Sequence, residues 1–410
     1  MKETGHKKDV ILQGKEKKLM RDILYAIESI LFLPCWYAQK WHKRDQNIWT
    51  FGAWSGLRYS DNSRALYEYM LANHPEIHCV WMTRSEDIYR KLQEENKPVA
   101  LCSSKEGKRI QKHAGVFFMT CNLFDADARF MNGIRFINLW HGVPIKKIGE
   151  DAMGRLREHT LFKRFKTWFR RRCIPWEFLT VEVVSGSPFF EPFLRSAFAL
   201  SSDKLIMLPE PRLDKLVSTG KEILIQQLDR RFNYPLKVLY MPTFRDDNLD
   251  AFNPFAEAGF DAETFVKMLD EKNVVLLYKG HFMDDTPIST DNYSRIMAIT
   301  DADYDNMYVF IKDVDILITD YSSVYFDFLY LGKPMILFPF DYETYMQKSR
   351  EFYFDYNLMG AKKVFTWKEL EICLREGTYY RPSQEEVQRF RPLPIGHCCE
   401  TIANYILQAK

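Results

Sequence analysis

The feature that most limits what this chain can fold into is an alternation of short apolar runs with amphipathic stretches, gone through twice. Asn47–Trp54, Ile77–Thr83, Val99–Ser103, Gly115–Cys121 and Phe136–Trp140 are short and apolar, as strands buried on both faces must be. Between them Ser63–Asn73, Glu86–Glu94 and Lys105–His113 have helical periodicity. Such alternation predicts a parallel sheet with helices on both faces. The pattern restarts after residue 200, with strands expected at Lys204–Leu208, Lys237–Met241, Val274–Tyr278, Arg295–Ile299, Asp315–Thr319 and Pro334–Phe338. Helices are expected near Lys215–Arg230, Ala262–Glu271, Ser323–Leu331 and Trp367–Glu376. A second doubly wound sheet follows, so the fold class is α/β with two Rossmann-like halves.

A length of 410 residues accommodates this division. We expect a basic N-terminal region over 1–46, a first Rossmann-like domain over 47–190 and a second over 191–385. Residues 386–410 are expected to return to the first domain. The boundary is placed in the proline-bearing stretch Ser187–Ser202. Ahead of the first sheet, Leu19, Met20, Ile23, Leu24, Ile27, Ile30 and Leu31 share one helical face, which Pro34 ends. That helix either packs on the body of the protein or lies in a membrane interface. The apolar stretch Ile23–Ala38 is interrupted by Glu28 and Pro34 and falls short of the roughly 20 residues that span a bilayer. The charged N-terminus, with no small-residue cleavage site, is not read as a signal peptide.

Net charge is only +2, but it is unevenly spread. Residues 1–21 hold seven Lys/Arg against three acids, and 154–172 hold eight against Glu158 alone, leaving the remainder net negative. Two concentrated basic segments suit an anionic surface better than a nucleic-acid-coating protein, and no nucleic-acid module accompanies them. In 154–172, Leu156, Leu161, Phe162, Phe165, Trp168 and Phe169 interleave with the cations, the pattern of an interfacial helix on anionic lipid. Eight cysteines without a C-x-x-C pair read as reduced thiols. Paired acids such as Asp301/Asp303 and Asp313/Asp315 sit where turns and caps are expected, so no catalytic metal is expected.

Open parallel sheets bind ligands at the carboxyl ends of their strands, and four motifs fall there. Trp140-His-Gly-Val-Pro-Ile-Lys-Lys147 turns tightly after a strand and projects His141 with two lysines behind it; imidazole titrates near neutrality and suits a general base. Pro242-Thr-Phe-Arg-Asp-Asp247 offers Thr243 and the planar fork of Arg245, a phosphate-binding group. Leu277-Tyr-Lys-Gly-His-Phe282 places His281 beyond another strand. In Thr319-Asp-Tyr-Ser-Ser-Val-Tyr-Phe-Asp327 a strand ends and Ser322 and Ser323 open a helix, an arrangement for an anion, with Asp327 one turn later to reach ribose hydroxyls. N-capping by Ser322 is the plainer alternative. The P-loop, G-x-G-x-x-G and G-x-S-x-G signatures are missing from the sequence.

Taken with Tyr59-Ser-Asp-Asn-Ser-Arg64, Gly332-Lys-Pro334 and Phe352-Tyr-Phe-Asp355, these motifs resemble, in order and over residues 47–360, the CDP-glycerol glycerophosphotransferase family of teichoic acid polymerases and primases. The resemblance implies a GT-B architecture, two Rossmann-like domains facing across a cleft. It implies transfer of a polyol phosphate from CDP-glycerol or CDP-ribitol to a lipid-linked polyprenyl acceptor, with release of CMP and no cofactor. It places the enzyme peripherally at the cytoplasmic face of the membrane. By the same resemblance His141 is the base for the acceptor hydroxyl, and His281, Thr243, Arg245, Ser322 and Ser323 hold the diphosphate. Asp327 then contacts a donor hydroxyl, and Asn62 and Ser63 lie on the acceptor side. Two departures stand out: Phe282 follows His281 where the family has Pro, and Leu208-Pro-Glu-Pro-Arg212 lacks the usual glycine, so Arg212 is given no role. Two other functions remain open, a GT-B glycosyltransferase using a nucleotide sugar and a catalytically idle membrane scaffold.

Overall fold

Every apolar run of the first half becomes a strand: β1 (Asp45–Phe51), β2 (His78–Thr83), β3 (Val99–Leu101), β4 (Ala114–Met119) and β5 (Arg135–Asn138). They lie in the order β3-β2-β1-β4-β5 and each neighbouring pair is parallel. The helices between them start where a side chain can satisfy the first free amides. Ser85 accepts from the Ile88 amide ahead of Glu86–Glu94, and Ser104 from the Gly107 amide ahead of Lys105–His113. The computed structural model describes residues 24–25, 27–152, 168, 172–243, 245, 253–256, 259–280, 288–348 and 351–409. His281, Asp246, Asp247 and, save Trp168 and Arg172, the basic stretch 154–172 lie outside the described residues.

The chain divides into two units, Met1–Leu139 with Leu156–Glu182, and Trp140–Arg155 with Val183–Lys410. In the first unit the strand order reverses between β1 and β4, and the fully buried Asp125 binds the ends of both strands together. It accepts from the amides of Ser55 at 2.7 Å and of Thr120 and Cys121 at 2.8 Å each. Burial pushes this carboxyl above the usual range, and the amides of Cys121, Ser55 and Thr120 pull it back.

The second unit contains the parallel pair β6 (from Glu182, at the junction of the units, to Ser185) and β7 (Leu205–Met207). Its main sheet is built of β8 (Leu236–Met241), β9 (Val274–Tyr278), β10 (Ile296–Ala298), β11 (Ile316–Thr319), β12 (Met335–Leu337) and β13 (Lys362–Lys363). All neighbours are parallel, in the order β10-β9-β8-β11-β12-β13. This is the doubly wound order, with its switch point between β8 and β11.

Four expectations need correcting. β7, read as the first strand of the second sheet, pairs with β6 instead. Lys215–Arg230 is not one helix but a 3-10 segment, Pro211–Val217, and a separate helix, Ile223–Phe232, with Gly220 between them. Residues 386–410 do not return to the first domain. The helix Cys398–Gln408 packs within the second unit, where Asp214 accepts from the amides of Gly396, Cys398 and Cys399. Finally, Trp140–Arg155 belongs to the second unit although it follows β5. Val143 and Ile145 are buried in a core shared with Leu239, Leu317, Tyr321 and Tyr345. The same segment pairs antiparallel with the Phe352-Tyr-Phe-Asp355 motif: the Lys147 amide donates to the Glu351 carbonyl, and the Tyr353 amide to that of Ile145, both at 2.8 Å.

Candidate active site

The turn that carries His141 is strained, and its neighbours show what holds it. Trp140 has φ +54°, a left-handed conformation that costs a bulky L-residue about 1–2 kcal/mol. Its ring lies 4.8 Å from Phe198, edge on, and 4.0 Å from His141. One residue before it, the carbonyl of Leu139 accepts from Asn62 Nδ2 at 3.1 Å. Asn62 and Ser63 are both fully buried, and Ser63 shares a 2.8 Å hydrogen bond with Thr120. Expected on the acceptor side, these two side chains brace the strand ends.

Gly142 follows at φ +150°, where a Cβ would lie 2.5 Å from Ser323 Oγ and 3.6 Å from Arg212 Nη2. Only glycine lets the backbone after His141 come this close to Ser323. Gly142→Ala should therefore displace the turn and lower turnover at least about tenfold, with the chain still folded. Near wild-type turnover would show that the close approach does not matter to the chemistry.

Ser322 and Ser323 stand at the end of β11, ahead of the helix Val324–Leu329, and Ser322 Oγ accepts weakly from the Val324 amide at 3.5 Å. Across the switch point, Thr243 follows β8, and its amide donates to Asp320 Oδ1 at 2.8 Å. Its hydroxyl is buried and has no hydrogen-bond partner among the described residues, which leaves it open to a ligand or to water. The structure thus brings His141, Thr243, Ser322 and Ser323 into one unit on the ends of two adjacent strands and the turn seated against them.

Arg245 stands differently from expectation. It is only 7% exposed, and its guanidinium reaches Asp320 Oδ2 at 2.7 Å and Asp341 Oδ2 and Oδ1 at 2.7 and 3.0 Å. Burial draws its pKa down, but Asp320 and Asp341 outweigh this and raise it overall. Its plane packs on Tyr345 and Tyr321, 4.9 and 5.3 Å from the ring centres, which themselves stack at 4.1 Å. Lys146 Nζ donates to Tyr345 Oη at 2.8 Å. Arg245 is therefore engaged internally and orders the loops that present Thr243 and the two serines.

Asp327 is engaged more fully still. It is 1% exposed; Oδ2 accepts from Arg212 at 2.9 Å and Tyr308 Oη at 2.7 Å, and Oδ1 accepts from Arg391. Arg391 also donates to Glu210 at 2.6 Å. Two arginines and two carboxylates form a buried, charge-balanced cluster beneath the Gly142–Ser323 contact, and Asp327, expected at a donor hydroxyl, is engaged within it. Sequence reasoning passed over Arg212, Glu210, Arg391 and Asp341. Only Asp341 left a usable signal, since Phe338-Pro-Phe-Asp341 follows a predicted strand just as the other motifs do.

Two Rossmann-like parallel sheets, with a strained His-Gly turn at the strand ends of the second, are the fold of the GT-B class. The family model for CDP-glycerol:poly(glycerophosphate) glycerophosphotransferase matches residues 35–406, and the chain belongs to that family. It is 30% identical over 355 residues to the teichoic acid glycerol-phosphate transferase of Staphylococcus aureus, covering 84% of this chain and 85% of that one. It is 28% identical over 377 residues to the teichoic acid poly(glycerol phosphate) polymerase of Bacillus subtilis, covering 88% of this chain but only 48% of the polymerase. The structure of the wall teichoic acid polymerase TagF shares the fold, with a TM-score of 0.71 at 21% identity over 95% of this chain and 97% of that one.

Proposed function

We propose that this enzyme transfers a polyol phosphate, glycerol phosphate in the first instance, from a CDP-polyol to a hydroxyl of a lipid-linked acceptor in teichoic-acid-type polymer synthesis. The observation that carries this reading is the His141-Gly142 turn seated against Ser323 at the switch point of the second sheet. The acceptor oxygen attacks the β-phosphorus of the donor; the new P–O bond forms as the bond to the α-phosphate oxygen breaks, and CMP leaves. His141 takes the acceptor proton as the hydroxyl acidifies in the transition state. The buried Thr243 hydroxyl, Ser322, Ser323 and His281, three residues beyond β9, hold the phosphoryl oxygens while charge moves to CMP. Arg245, Arg212 and Asp327 position these groups.

The same arrangement favours chemistry without a divalent ion, because Asp320 and Asp341 are committed to Arg245, and Asp327 to Arg212 and Arg391. No helix among the described residues is long and apolar enough to cross a membrane. We place the enzyme at the cytoplasmic membrane face, with the basic stretch 154–172 on anionic lipid.

The test is CMP release from CDP-glycerol and CDP-ribitol with a lipid-linked acceptor analogue, beside a panel of UDP-sugars, with and without EDTA. Acceptor-dependent CMP release that persists in EDTA is expected. Turnover of a UDP-sugar alone would make the chain a glycosyltransferase, and loss of activity in EDTA would overturn the metal-free mechanism.

A further inference from the structure

The first helix, described at residues 24–25 and 27–38, carries apolar side chains on both of its faces. Inward, Phe32, Leu33 and Trp36 pack on Ile174 and Trp176 of the same unit, Trp176 Nε1 donates to Tyr25 Oη at 3.2 Å, and Gln39 Nε2 donates to the Arg129 carbonyl at 2.8 Å. The helix is thereby fixed in place. Outward, Leu24, Ile27 and Leu31 are 55%, 51% and 74% exposed, and Trp41, just past the helix end, is 86% exposed. Spacings of three and four residues set Leu24, Ile27 and Leu31 along one line. A helix apolar all round normally has both faces covered.

Charge says what covers the second face. Beside Trp41 stand Lys40 and Lys43, both exposed, whereas Glu28 is the one acid between residues 17 and 44 other than Asp22. Ile174 and Trp176, which hold the inner face, directly follow the eight cations of 154–172. A second copy of the same face would bring like charges together and repel. An anionic bilayer suits both the cations and the apolar line, and an exposed Trp at one end suits the headgroup level.

We propose that this helix lies in the plane of an anionic membrane, with Leu24, Ile27 and Leu31 at the acyl boundary and Lys40, Trp41 and Lys43 among the headgroups. The surface is additional to the basic stretch and rests on the membrane-peripheral reading above. Its test is flotation of the full chain with phosphatidylcholine vesicles and with vesicles that also contain phosphatidylglycerol. Wild type should float with the second kind only. Ile27→Glu/Leu31→Glu, at exposed positions, should weaken that binding about tenfold or more without changing the far-UV circular dichroism, and Trp41→Ala should weaken it less. If wild type floats and the double variant floats equally, this surface is overturned and the basic stretch acts alone. If wild type fails to float at all, the membrane-peripheral reading itself falls. A double variant that turns a dimer into a monomer in sedimentation, with flotation unchanged, would assign the face to a second copy and overturn the proposal.

Discussion

His141→Ala is expected to lower acceptor-dependent CMP release by about 10²–10⁴-fold, the range for removing a positioned general base, while CDP affinity and thermal stability stay near wild type. The imidazole is half-buried beside Trp140 and not in the packed core, so its removal leaves no deep cavity. The backbone at Gly142 passes close to Ser323 and is unchanged by the substitution, so the donor loop should keep its shape. Calorimetric titration with CDP checks this directly. A variant that loses CDP binding as fully as turnover would place His141 among the donor contacts and leave the acceptor proton without an assigned base.

The second large effect is on stability. Arg391→Ala removes the cation that serves both Glu210 and Asp327, at positions where all three side chains are buried. Leaving buried carboxylates uncompensated costs about 3–5 kcal/mol, a large part of the total stability of an ordinary domain. We expect a sharply lower urea midpoint and poor soluble yield. Asp327 retains Arg212 and Tyr308 Oη, whereas Glu210 has only Arg391 as a salt-bridge partner among the described residues. Adding Glu210→Gln to Arg391→Met should therefore recover much of the loss, as a double-mutant cycle would measure. Equal destabilisation of the single and double variants would show that packing, and not charge, dominates at this point.

The sheets were legible because their strands are buried on both faces and read as unbroken apolar runs. Helices with a serine cap, such as Glu86–Glu94 and Lys105–His113, could be bounded to the residue. β13, two residues long and formed of Lys362 and Lys363, carries no such signal. At the site, the strand-end rule points to His141, Thr243, Ser322 and Ser323, and the structure places all four in one unit because their positions follow from the backbone alone. The rule did not foresee the internal ion pairs of Arg245 and Asp327, because residue type shows that a group can hold phosphate or a hydroxyl but not that another side chain already holds it. Asp341 lies 96 residues from Arg245, and Arg391 lies 64 from Asp327. Ion pairs at such separations leave no local pattern. Trp140–Arg155 was misassigned for a related reason, since its partners come long after it in the chain.

That long separation has a consequence for how the protein is made. Lys146 precedes Tyr345 by 199 residues, and Lys147 precedes Glu351 by 204. At about 5–20 residues per second, a ribosome needs roughly 10–40 s after finishing the His-Gly turn to deliver the segment against which that turn folds. Through that interval Val143 and Ile145 lack the complete core that buries them, and the strained turn at Trp140 lacks its ring partner Phe198 for the first part of it. The nascent chain therefore passes through a stage with one sheet able to form and the His-Gly turn still unsupported. That is the stage at which a holdase would be most useful, and at which slower translation would expose the most apolar surface for the longest time.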